Sequence, residues 1–216
     1  MAQLFPKWTN KIPTLAAIGV PALLGLITLG FWYYASPKAI DVGYRPQQPV
    51  PYSHKLHAGD LGMDCRYCHT SVEKSAVASV PPTQTCMNCH EKHILPKSEK
   101  LLPVRESWSN GKPIEWVKIH KVPDYAYFNH SAHVGAGVGC QSCHGNVAQM
   151  EVVMQVEQLS MGWCLDCHRN PEPHLRPTSE VTNMNYVMPV NQAEFAAQAK
   201  KEKKLNPPVE CSGCHR

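Results

Sequence analysis

The sequence predicts a domain of loops and short α-helices carried on one N-terminal transmembrane helix. Three observations lead there. Residues 14–35, TLAAIGVPALLGLITLGFWYYA, contain no charge. All ten cysteines of the 216-residue chain fall in five C-x-x-C pairs, each followed at once by His. The chain as a whole, with 19 Pro, 13 Gly and only 4 Phe, offers little for a large apolar core. A content of 18% charged and 43% apolar residues excludes a wholly disordered chain. With 21 Lys+Arg against 17 Asp+Glu the net charge is +4, and no basic stripe forms, so nucleic acid is set aside as a partner.

The uncharged run is long enough to cross a membrane, since a helix rising about 1.5 Å per residue spans roughly 33 Å over it. Pro21 is compatible with a membrane helix, and Trp32, Tyr33 and Tyr34 sit where an interfacial aromatic belt belongs, with Trp8 at the other end. A cleaved signal peptide is the competing reading; the long apolar stretch and the lack of a small-x-small cleavage site favour a retained anchor. The expected order is a cytoplasmic segment 1–13, the span 14–35, a tether 36–50 and a domain 51–216. Within the tether, DVGYRPQQPVPY begins a proline-bearing, semi-extended passage.

The five cysteine motifs are CRYCH (65–69), CMNCH (86–90), CQSCH (140–144), CLDCH (164–168) and CSGCH (211–215). C-x-x-C-H is the attachment motif of c-type haem: Cys65, Cys68, Cys86, Cys89, Cys140, Cys143, Cys164, Cys167, Cys211 and Cys214 would each bond a vinyl carbon, and the next His would bind the iron. The first two pairs also fit zinc-ribbon spacing, but zinc gives no reason for a His after every pair. Five covalent haems are therefore expected, with proximal ligands His69, His90, His144, His168 and His215.

Low-spin electron-carrying iron takes a second axial ligand. Seven further His are available, and four form two H-x-x-H pairs just upstream of a motif: His54 and His57 before Cys65, His130 and His133 before Cys140. Three-residue spacing puts both imidazoles on one helical turn, from which they reach two different irons. The fifth distal ligand comes from His93, His120 or His174; His120, in the aromatic stretch WVKIHKVPDYAYF, is favoured because a ligand needs an ordered surround. Supply then meets demand, leaving no open iron. Met150, Met154 and Met161, read as lying on a helix before CLDCH, are alternatives as a ligand or as packing against porphyrin.

The order aromatic, H-x-x-H, C-x-x-C-H, C-x-x-C-H occurs twice, so residues 50–95 and 126–176 read as duplicated two-haem modules, with the fifth haem at 211–215. Residues 191–205, NQAEFAAQAKKEKKL, read as a helix stopped by Asn206-Pro207-Pro208, and its KKEKK run as a solvated face.

These modules resemble the class III multihaem cytochromes c, related to cytochromes c3 and c7. The full layout, with WVKIHKVPDYAYFNHSAH before the third motif and MGWCLDCHRNP at the fourth, is similar to the family of pentahaem cytochrome c subunits of alternative complex III. That resemblance covers essentially the whole chain. It implies an electron-carrying component of a quinol oxidoreductase, assembled with iron-sulfur and integral-membrane quinol-oxidising subunits and delivering to a monohaem cytochrome c, copper protein or terminal oxidase. Haem c attachment on the periplasmic side then sets the topology: single-pass in the inner membrane, haem domain outside. The alternative is a quinol dehydrogenase like the NapC and NrfH cytochromes, against which the duplicated H-x-x-H modules speak. A multihaem nitrite reductase needs an open or lysine-ligated iron, which the surplus of His disfavours.

Overall fold

The computed structural model describes residues 4–215, and the chain divides into two compact units, residues 1–41 and 42–216. The first unit is dominated by α1, Ile12–Tyr34, preceded by a 3-10 turn over Lys7–Lys11 and followed by the short α2, Pro37–Ile40. Pro13 fits in the first turn, where its missing N–H costs nothing. The helix also runs on through Pro21. None of its residues is buried, and its apolar side chains face outward all round. With a mean hydropathy of 2.0 over its best window, the segment Lys7–Tyr34 is long and apolar enough to cross a membrane.

The second unit contains, among the described residues, helices and loops but no β-ladder beyond one isolated antiparallel bridge, Val138 to Leu175. Its α-helices are short: α3 Cys65–Cys68, α4 Thr83–His90, α5 Leu102–Asn110, α6 His130–Ala136, α7 Gln141–His144, α8 Met161–Arg169, α9 Gln192–Lys203 and α10 Cys211–Cys214. Five of them, α3, α4, α7, α8 and α10, are built on the five cysteine motifs, because C-x-x-C closes a single helical turn that sets both thiols on one side. Residues 42–50, expected as free tether, belong to this unit. Gly43 donates to Gln155 O and Gln155 to Tyr44 O, and Val50 is buried with Met87 of α4 and Val104 of α5.

A second packed region lies at α9. Ala196 and Ala199 are buried there, Gln192 donates to the carbonyls of Glu172 and Leu175, and Lys200 pairs with Glu172. The lysine run is therefore more than a solvated face. Lys203 Nζ donates to Gly135 O and Ala136 O, so it caps the helix that bears His130 and His133. Residues 150–160 are extended and bent rather than helical, with Met161 opening α8 at 68% exposure; the helix expected to carry three methionines does not form. The β-branched side chains of Val152, Val153 and Val156 disfavour it.

Only eight apolar side chains are buried among the described residues, far fewer than protein packing alone would need to hold a unit of this length.

Candidate metal centres

The two H-x-x-H segments are built alike. The first is a π-helical turn, Lys55–Asp60, begun at His54; the second is α6. In each, the second His turns its Nδ1 back on the carbonyl four residues earlier: His57 to Ser53 O at 2.8 Å and His133 to Asn129 O at 2.7 Å. In each, an aromatic ring meets both imidazoles. Tyr52 lies edge-on to His54 at 4.8 Å and stacks on His57 at 4.4 Å; Phe128 lies edge-on to His130 at 4.7 Å and stacks on His133 at 4.6 Å. The two H-x-x-H turns thus share one arrangement of rings.

The segments also exchange backbone contacts. Lys55 N–H donates to Met150 O, and its counterpart Ser131 donates to Ser75 O. Each H-x-x-H turn is held against the loop that follows the first cysteine motif of the other module. His130 is held further, by N–H and Nδ1 on Ala76 O.

Seven imidazoles have Nδ1 within 2.7–3.0 Å of a backbone carbonyl: His57, His69, His90, His130, His133, His168 and His215. A carbonyl cannot donate, so the proton must sit on Nδ1. In the neutral ring Nε2 then carries a bare lone pair, the form of imidazole that binds metal. Burial, the largest cause, pulls His54 down to about 4 and His144 to about 3, and lowers His120 and His133 as well. All four are therefore neutral at pH 7, with a lone pair to give.

Ring separations carry the fit further. Metal–imidazole bonds of about 2.0–2.1 Å on both sides of one ion put the ring centres roughly 6 Å apart, once the distance from ring nitrogen to centre is added. His57 and His90 are 6.3 Å apart, His133 and His168 6.1 Å, and His130 and His144 6.4 Å. The first two pairs are equivalent in the two modules, each joining the second His of H-x-x-H to the second cysteine motif. His120 meets His144 edge-on at 4.3 Å, too close for the two to face each other across a metal. It is nonetheless half-buried, and its Nε2 is buried without a hydrogen-bond partner. His93 is exposed and His174 half-buried.

None of the ten cysteines is in a disulfide, and burial raises most of their thiols, Cys140 to about 11 and Cys143 to about 12. Paired thiols on one turn, a following His with Nε2 free, and a facing imidazole together fit haem c.

Sequence reasoning did not find Arg176, 1% exposed beside the third motif. A lone Arg between Leu175 and Pro177 carries no signal of burial.

Residues 132–216 match the family model of cytochrome c3. The chain is also similar to a protein of Nitratidesulfovibrio vulgaris strain Hildenborough named menaquinone reductase, multiheme cytochrome c subunit. The two are 29% identical over 180 residues, with 74% of this chain and 84% of the relative covered.

Proposed function

We propose that this chain is a multihaem c-type cytochrome, similar to the cytochrome c3 family, that it holds five covalently bound haem c groups and that it carries electrons within a quinone-linked membrane complex. Haem supplies a one-electron Fe(III)/Fe(II) couple, and the polypeptide fixes where each iron sits. The ten cysteines form the thioethers. His69, His90, His144, His168 and His215 take the proximal positions, and His54, His57, His120, His130 and His133 the distal ones. Backbone carbonyls on Nδ1 hold seven of these rings in one tautomer and orientation. The observation that carries the reading is the pair of equivalent separations, 6.3 Å for His57 and His90 and 6.1 Å for His133 and His168.

With two imidazoles per iron, no iron is left open to substrate, so the chain carries electrons and a quinone site belongs to a partner. The segment Lys7–Tyr34 anchors the chain in the inner membrane, with the haem domain on the periplasmic side. Partners are integral-membrane and iron-sulfur subunits and a periplasmic cytochrome c, copper protein or terminal oxidase, as in alternative complex III, where electrons leave quinol. The name of the Nitratidesulfovibrio relative favours a second reading, in which electrons arrive from the periplasm and end on menaquinone.

The test is reduction kinetics on the complex purified through this chain. In the first reading a menaquinol analogue reduces the haems through the complex and a quinone-site inhibitor blocks it; in the second, a reduced periplasmic cytochrome reduces them and a menaquinone analogue reoxidises them. Reduction of the isolated cytochrome by menaquinol at the same rate would support the NapC/NrfH alternative instead.

A further inference from the structure

Arg176 is a buried cation of the second unit with no carboxylate at ion-pair distance among the described residues. It is 1% exposed, the largest of the fully buried side chains. Its Nη1 donates to the carbonyls of Asn183 at 3.0 Å and Glu180 at 3.5 Å, and its guanidinium carbon lies 4.8 Å from the centre of the Tyr186 ring. Its Nε is buried with no hydrogen-bond partner. Among the described residues no carboxylate is within ion-pair distance; that of Glu180 accepts from Asn183 Nδ2 instead. Arginine keeps its proton in proteins, so neutral dipoles and a ring face hold a full positive charge in place.

The place matters. A Cβ on Gly139 would come within 2.2 Å of the guanidinium carbon, so the charge lies directly against the residue that precedes Cys140. The same loop is clasped by backbone bonds, Arg176 N–H to Gly137 O at 2.8 Å and Cys140 N–H to Val181 O at 2.9 Å. Glycine at 139 is needed for the close approach, and the clasp keeps the charge beside the third attachment motif.

We propose that Arg176 is a positioning residue for electron transfer: its buried charge raises the reduction potential of the haem attached at Cys140 and Cys143. The inference rests on the five-haem reading above. Reduction adds a negative charge to an iron centre, and a nearby fixed cation in a poorly screened interior stabilises the reduced form more than the oxidised one. The charge therefore makes this centre a better resting place for the electron than an otherwise equal neighbour.

The test is a spectroelectrochemical titration of the full-length haem-loaded protein and its variants. Arg176→Gln is expected to move one haem component to lower potential and leave the other four in place, while Arg176→Lys, which keeps the charge, restores it. Tyr186→Glu leaves Arg176 on its two carbonyls but sets a carboxylate against it, and is expected to lower the same component; it serves where Arg176→Gln does not accumulate. Unmoved potentials in both neutralising variants, or a shift in Arg176→Lys as large as in Arg176→Gln, overturn the proposal. A wild-type protein with fewer than five haems refutes the underlying reading instead, and haem content measured on each sample separates the two failures.

Discussion

Tyr52 stacks on His57 with ring centres 4.4 Å apart and planes 22° from parallel, and Phe128 repeats the relationship on His133 at 4.6 Å and 28°. One aromatic side chain fixes the plane of the imidazole that faces the second cysteine motif of its module. Tyr52→Leu and Phe128→Leu keep an apolar body there but lose the ring contacts, a change of about 0.5–1.5 kcal/mol each. Chemical denaturation of the haem-loaded protein should show that loss, and the EPR signal of one low-spin haem should broaden as its ligand plane loosens.

His57 and His90 stand 6.3 Å apart and His133 and His168 6.1 Å apart. His57→Ala and His133→Ala should each turn one haem high-spin and create one carbon monoxide site per protein, with the other haems unchanged. His93→Ala is the control, since His93 is exposed, and its spectrum should match the wild type. Carbon monoxide binding by the unmodified protein would contradict the ligand assignment.

At the junction of the modules, a Cβ on Gly59 would lie 2.3 Å from Ala148 O, a backbone atom that cannot swing aside. Gly59→Ala must push the first H-x-x-H turn off the loop after the third motif, at a cost of about 1–3 kcal/mol. Gly135→Ala meets open space inside α6 and gains helix propensity, so it should be neutral or stabilising by about 0.5–1 kcal/mol. Denaturation midpoints should fall for Gly59→Ala and hold or rise for Gly135→Ala.

Asp64 accepts from the Arg66 side chain and its backbone N–H and from Thr182, which ties the first cysteine motif to the loop at 182. The Arg66 bond, chiefly, draws its carboxyl down to about 2. A depressed folded-state pKa stabilises the fold above the ordinary value near 3.8, and that contribution is lost as pH falls through about 2. Asp64→Asn should therefore be less stable than wild type at neutral pH, by a small amount because the pair is partly exposed. The gap should close between pH 4 and 2 in an acid unfolding titration.

The five motifs, the H-x-x-H pairs and the apolar helix were legible because each is a local pattern with a chemical reason for its spacing. The repeat was legible too, down to the aromatic two residues before each pair. Other features needed the structure. The carbonyls of Ser79, Ile94 and Pro208 that fix His69, His90 and His168 are backbone groups and leave no trace in residue identity. The contact between Lys55 and Met150 joins segments 95 residues apart. Lys203 looked like part of a solvated run because its role depends on where α6 ends. Methionine-rich 150–161 read as a helix leading into CLDCH, yet Val156 instead lies over Gly145, whose left-handed backbone turns the chain away from His144.

Five covalent haems are tested most directly by the intact mass of the purified protein, taken with thiol alkylation under denaturing conditions. The expected result is the mass of the polypeptide plus five haems and no alkylatable cysteine, since all ten are consumed in thioether bonds. Four or fewer haems, with a reactive C-x-x-C pair remaining, would contradict it.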